Sequence, residues 1–211
     1  MSVSPELILQ AYRVGVFPMA ESRDDPDIFW VDPKHRGVIP LDGFHISRSL
    51  ARTLRQDRFD ISINRDFSGV MQGCAARSET WINDEIHRVY TALQVAGHAH
   101  SLEVWHEGRL VGGVYGVAVG GAFCGESMFS DMRDASKVAL AWLVDHLRRA
   151  GFVLFDTQFV TPHLASLGGQ EISRAAYQAL LKDALPLKTR FSETPLAASG
   201  QEVVQRNTQT S

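Results

Sequence analysis

The sequence predicts an α+β fold, a mixed and mostly antiparallel sheet with flanking helices. Three observations carry the prediction. First, residues 101–129 read as a three-stranded meander. Leu102, Val104 and His106 alternate with Ser101, Glu103 and Trp105; turns at Glu107-Gly108 and Gly120-Gly121 then set off strands at 110–119 and 122–129. Second, a strongly apolar helix follows at 135–150, with Arg148 and Arg149 suiting its C-terminal dipole and Gly151 its C-cap. Third, the wholly apolar run 152–155 fits a central, buried strand.

The other elements follow in order. Residues 5–15 predict a short amphipathic helix, since Leu7, Ile8, Ala11, Tyr12 and Val14 recur at spacings of three and four. Ser4 is its N-cap, Pro5 its first helical residue and Gly15 its stop. Residues 18–43 read as an irregular connection with a short strand at 28–31. A helix at 46–57 is capped by Ser47, and alternating Phe59, Ile61 and Ile63 predict a strand. Residues 64–71 resemble a helix start, and Asn83 or Asp84 caps a helix carrying Ile86, Val89, Tyr90 and Leu93. Helices are expected at 162–167 and 173–181. From Ser192 the chain is polar and free of aromatics, which predicts disorder. Three parts result: a small N-terminal part with a basic helix (1–63), a catalytic domain (64–191) and a disordered tail (192–211).

The chain of 211 residues has a net charge of −3, which excludes a generally basic nucleic-acid binder. The charge is unevenly spread: residues 1–33 carry −4, residues 34–65 carry +4 and the remainder −3. No apolar run reaches a membrane-spanning length and the N-terminus carries no secretory pattern, so a cytoplasmic protein without a membrane role is expected. Cys74 and Cys124 have no metal-like spacing.

Several chemistries lack their residues. No P-loop or dinucleotide fingerprint is present. Gly125-Glu126-Ser127-Met128-Phe129 begins like a nucleophile elbow but ends in Phe instead of Gly. His98, His100, Glu103 and His106 crowd together without an ordered ligand spacing, so no metal is expected. Arg48, Arg52 and Arg55, at i, i+4 and i+7, stack on one helix face with no acidic partner; this is either a solvated face or a phosphate-binding ridge. Asp156, ending an apolar strand, is either a helix cap or a group placed for chemistry, and Gln158 would share its face.

The element order resembles the GCN5-related N-acetyltransferases, but Ser130-Asp131-Met132-Arg133-Asp134 replaces their Gly-rich pyrophosphate loop. A closer resemblance lies in Tyr12-x-x-Gly15-x-Phe17-Pro18, Trp30-x-x-Asp32-Pro33-x-x-Arg36 and Leu41-x-x-x-His45-Ile46-Ser47-Arg48-Ser49. It continues through 97–105, 110–116, Phe123-Cys124-Gly125-Glu126-Ser127-Met128-Phe129, Asp156-x-Gln158, His163-x-x-Ser166-Leu167-Gly168 and Glu171-Ile172. Together these resemble the bacterial leucyl/phenylalanyl-tRNA–protein transferases over about residues 5–190.

The resemblance implies an acetyltransferase-like catalytic domain joined to a small N-terminal part. It implies transfer of Leu or Phe, and Met more weakly, from aminoacyl-tRNA to the N-terminal Arg or Lys of proteins, marking them for N-end rule degradation. The donor ester is already activated, so no cofactor is expected, and the enzyme would act as a monomer. Asp156 and Gln158 match the catalytic positions; Asp156 either abstracts the amine proton, directly or through Gln158, or orients the amine. The side-chain pocket carries over to Val114, Phe123, Leu140, Leu143 and Phe155, with Glu126 and Ser127 at its polar edge. Trp81 matches an aromatic near the 3′ adenosine, and Met19 stands where some members have Trp. Arg48, Arg52 and Arg55 match the family's tRNA-binding helix. Alternatives are a CoA-dependent N-acyltransferase, a non-catalytic tRNA-binding module, or a relative serving cell-wall peptide.

Overall fold

A computed structural model of the chain describes residues 3–25, 27–77 and 80–209. The first half holds α1 (Pro5–Arg13), β1 (Phe17–Met19), β2 (Phe29–Val31), β3 (His35–Val38), α2 (Arg48–Arg55), β4 (Asp60–Ile63), α3 (Phe67–Ala75) and α4 (Asp84–Val95). The second half holds β5 (Ala99–His106), β6 (Arg109–Val119), β7 (Ala122–Ser130), α5 (Ala135–Arg149), β8 (Leu154–Gln158), α6 (Pro162–Ala165), β9 (Gln170–Ser173), α7 (Arg174–Ala184) and α8 (Gly200–Thr208). Local chemistry sets the helix starts. Side-chain oxygens of Ser4, Ser47, Asp66, Asn83, Thr161, Ser173 and Ser199 each accept a backbone N–H of the first turn.

Seven strands form one sheet in the order β4-β5-β6-β7-β8-β3-β9, and β1 pairs with β2 separately. All pairings in the large sheet are antiparallel except β7 with β8. The fold is therefore mixed α+β with the expected meander, long helix and buried strand, the last of them parallel to β7. Strand alternation sorts the core into two layers. Val114 and Phe123 face α5, with α2 and α8 packed beyond it. Tyr115, Val117 and Cys124 face α3 and α4, with α1 outside them. Tyr177 and Leu181 of α7 cover the β3–β8 end. Among the described residues no helix is long and apolar enough to cross a membrane.

Two expectations are corrected. The chain beyond residue 192 is ordered as far as it is described (210–211 lie outside the described residues). Val203 and Val204 are buried, Arg206 pairs with Asp145 at 2.5 Å, and Ser199 caps α8. Two adjacent valines and one arginine anchor this nine-residue amphipathic helix on α5, and composition alone hides them. A division at residue 63 also fails in the sheet, because β3 and β4 from the first part are strands of the same sheet as β5–β8. The short strands β1, β3 and β9 were not expected; at three or four residues they carry too little alternation to read.

Candidate active site

The site forms where the parallel pair comes apart. β7 and β8 pair only at Ala122↔Leu154, Phe123↔Phe155 and Cys124↔Asp156, yet both run on, to Ser130 and Gln158. Each diverging strand carries a bulge at that point. Tyr115 and Gly116 of β6 pair with Ser127 and Gly125, leaving Glu126 as the extra residue. Gly37 and Val38 of β3 pair with Gln158 and Asp156, leaving Thr157 extra. Bulges bend a strand and re-aim its side chains, and here they open a gap between Glu126 and Thr157.

Two connected compartments fill the gap. The inner one, about 70 Å³, is walled by Val114, Gly125, Leu140 and Phe155. Glu126, Ser127, Met128, Thr157 and Leu164 are shared with the outer one, about 210 Å³, to which Phe17, Pro18, Met19, Arg77, Trp81, Gln158, Phe159 and Thr161 contribute. Of the expected pocket residues, Val114, Glu126, Ser127, Leu140 and Phe155 line this space. Phe123 and Leu143 do not. Phe123 sits behind, edge-on to Phe155 at 5.9 Å and stacked on Phe191, and Leu143 is fully buried in the core. Trp81 and Met19 both face the outer compartment.

Glu126 is the hub of the polar wall. Its carboxylate accepts the Tyr12 hydroxyl at 2.6 Å, the Tyr90 hydroxyl at 3.0 Å and the Gln158 side-chain amide at 3.3 Å. The two tyrosine oxygens lie 2.5 Å apart. Burial pushes the Glu126 pKa up from 4.5 to about 7; the tyrosine hydrogen bonds oppose the rise and the charge of Asp156 adds to it. Burial, and then the charge of Glu126, hold both tyrosines well above the usual phenol value, so they remain donors. A carboxyl that titrates near neutrality beside a cavity is equipped to take a proton there.

Asp156 has a different place from the one expected. It is fully buried and absent from both compartments. Arg36 grips it bidentately at 2.9 and 2.7 Å, and the Tyr177 hydroxyl donates to it at 2.8 Å. Burial works against the charge of Arg36, but the carboxylate outweighs it and holds the guanidinium above the usual arginine pKa. Asp156 also accepts the backbone N–H of Gln158 at 2.9 Å, and Gln158 has a left-handed φ of 57°. That turn breaks the strand alternation, so Gln158 faces the cavity while Asp156 faces the core. Asp156 thus holds the Gln158 turn, and its carboxylate lines neither compartment.

Gly37 is required where β3 meets this turn, since a Cβ there would lie 2.6 Å from the Phe159 carbonyl carbon and 2.8 Å from its oxygen. Gly37→Ala is expected to displace the Phe159 wall and lower kcat/KM by about tenfold, since small misplacements in a site are costly. Steady-state kinetics beside circular dichroism checks it.

Arg48, Arg52 and Arg55 are exposed on α2, while Leu50, Ala51 and Leu54 on its other face are buried. The histidine group does not converge. His100 sits beside Asn64 at 3.1 Å, Glu103 accepts from Ser62 and Ser101, and among the described residues no three such side chains are placed to hold a metal.

The family Leucyl/phenylalanyl-tRNA protein transferase matches residues 38–182, and the N-terminal domain of the same family matches residues 1–34. The chain belongs to this family. It is an enzyme, an aminoacyltransferase. The leucyl/phenylalanyl-tRNA–protein transferase of Ruegeria sp. strain TM1040 is 64% identical over 211 residues, the whole of both chains. That of Ruegeria pomeroyi is 61% identical over the same span. Among solved structures, FemX aligns with a TM-score of 0.54 at 12% identity, covering 85% of this chain and 73% of that chain; the likeness is one of fold.

Residues not singled out beforehand complete the transferase site. Tyr90 read only as a core position, and Tyr12 and Arg36 as motif residues among many. Arg77 places a cation at the outer compartment, its guanidinium donating to the Met128 carbonyl. Only the two bulges could have shown that Glu126 and Gln158 meet, and bulges leave little trace in sequence.

Proposed function

We propose that the chain transfers Leu or Phe, and Met more weakly, from aminoacyl-tRNA to the N-terminal Arg or Lys of acceptor proteins, in the cytoplasm and without a cofactor, as a step toward N-end rule degradation. One observation carries the reading: a small apolar chamber edged by Glu126 adjoins an outer compartment that holds Gln158, with no Gly-rich phosphate loop of the acetyl-CoA type before α5. The donor side chain enters between Val114, Leu140 and Phe155. The 3′ adenosine lies in the outer compartment against Trp81 and Met19. A Cβ-branched side chain meets the walls too early, whereas Leu and Phe carry their bulk farther out.

The reaction follows from the same residues. The neutral α-amine, whose ordinary pKa is about 8, attacks the ester carbonyl. A C–N bond forms, and the bond between the carbonyl carbon and the ribose oxygen breaks. The amine proton passes to Glu126, with the Gln158 side-chain carbonyl oxygen orienting the N–H, and Glu126 then gives it to the ribose oxygen, which leaves as a hydroxyl. Glu126 can accept the proton without moving, because the adjacent tyrosines rotate only their hydroxyl hydrogens. Arg48, Arg52 and Arg55 hold phosphates of the tRNA acceptor stem, which makes affinity fall with salt.

The test is incubation with Leu-tRNA or Phe-tRNA and a protein bearing N-terminal Arg, scored by intact mass. A gain of one leucyl or phenylalanyl residue is expected, with none from Ile-tRNA or acetyl-CoA. Acetylation, or no product, overturns the reading. Leu140→Ala widens the inner chamber. It is expected to shift the Phe-over-Leu ratio of kcat/KM by about tenfold, in line with 1–3 kcal/mol for apolar discrimination. Competition between the two charged tRNAs measures it.

A further inference from the structure

The arginine ridge of α2 does not stand alone. α8 lies antiparallel beside it. Gly200 donates its N–H to Asp57 at 2.7 Å just past the C-terminal end of α2, and Asn207 donates to the Phe44 carbonyl at 3.0 Å just before its start. The helices touch closely, since a Cβ on Gly200 would sit 2.2 Å from the Leu54 carbonyl oxygen. Both rest on α5, α8 through the Arg206–Asp145 ion pair and buried Val203 and Val204. α5 also supplies Leu140 to the inner chamber. Leu140 and Asp145 are about 7 Å apart along its axis.

α8 turns neutral hydrogen-bonding groups outward at the same spacing as the arginines. Gln201, Gln205 and Thr208 fall at i, i+4 and i+7, and Gln205 and Thr208 are exposed. The Gln201 side-chain carbonyl oxygen accepts from Arg55 Nε at 2.8 Å, and Arg55 remains exposed. The one carboxylate on α8, Glu202, is occupied by Arg206 at 3.1 Å. A charged row beside a neutral amide and hydroxyl row suits an RNA backbone, which offers phosphate oxygens along one track and ribose hydroxyls along the next.

We infer that α8 is the second wall of the RNA-docking face: Gln201 sets the direction of Arg55, and Gln205 and Thr208 contact the sugar-phosphate backbone of the acceptor stem beside Arg48 and Arg52. The inference rests on the reading that this chain binds aminoacyl-tRNA through α2. α8 lies beyond residue 182, where the family match ends.

Binding of deacylated leucine tRNA to the full-length protein, followed by fluorescence anisotropy at several salt concentrations, tests it. Gln201→Ala and Gln205→Ala are each expected to weaken binding by about 3- to 10-fold, the effect of one hydrogen bond. Both should leave kcat at saturating Leu-tRNA and the melting temperature unchanged, so KM alone moves. In an Arg55→Ala background, Gln201→Ala should add nothing. Native-like affinity of both glutamine variants, with Arg52→Ala still impaired, overturns the role of α8 alone. If Arg48→Ala, Arg52→Ala and Arg55→Ala also bind as the native chain does, the docking of RNA on α2 falls as well.

Discussion

Glu126→Gln lowers the single-turnover rate of transfer by about 100- to 10,000-fold, the range for losing a positioned proton acceptor. Affinity for aminoacyl-tRNA stays near that of the native chain, because Gln preserves the shape of the wall and still accepts the Tyr12 hydroxyl that Glu126 takes at 2.6 Å. The same substitution alters stability with a definite sign. The folded state raises the Glu126 pKa from 4.5 to about 7, so between those values it holds more protons than the unfolded chain. Stability therefore falls as pH rises through that window. Glu126→Gln removes this slope and should be more stable than the native chain above pH 7, by at most about 3 kcal/mol. Paired melting curves at pH 5 and pH 8 measure the difference; a native-like slope in the variant would show that Glu126 titrates normally.

Asp156→Asn acts mainly on folding. It leaves the Arg36 guanidinium, 1% exposed, without its counter-charge. Removing one partner of a buried pair costs about 3–5 kcal/mol, a large part of a typical domain's stability. A fall in melting temperature of about 10 °C is expected for a chain of this size. In the folded fraction at low temperature, the rate should drop less than in Glu126→Gln, because Asp156 acts on the reaction through the Gln158 backbone and through its charge beside Glu126. Arg36→Met with Asp156→Leu should recover part of the lost stability by replacing the pair with apolar volume. If Asp156→Asn melted like the native chain but abolished transfer, Asp156 would be a chemical group and the account of its burial would be wrong.

Asp156 and Gln158 show what the sequence could and could not reveal. Alternation along β8 puts Asp156 and Gln158 on one face, which suggests a pair working together. The structure separates them with one left-handed residue and one bulge, and neither is encoded by a pattern longer than a dipeptide. The apolar walls were more legible: Val114, Leu140 and Phe155, carried over from the resemblance, line the inner compartment. Phe123 and Leu143 are equally apolar, but buried residues of one cluster differ only by the layer they occupy. Helix starts were readable because Ser4, Ser47 and Asn83 announce themselves by residue type. α8 was unreadable for the opposite reason: its anchor, Asp145, lies on another helix.

The most direct test of the account is the pH dependence of kcat/KM for an acceptor protein with N-terminal Arg, under single turnover of bound Phe-tRNA. Two deprotonations precede transfer, those of the amine and of Glu126. The logarithm of the rate should therefore climb with a slope of about two below pH 7. Glu126→Gln should show a slope of about one at a much lower rate, and Asp156→Asn should keep the native slope. A slope of two that survives in Glu126→Gln, or a rate unchanged by that substitution, would contradict the assignment of the proton to Glu126.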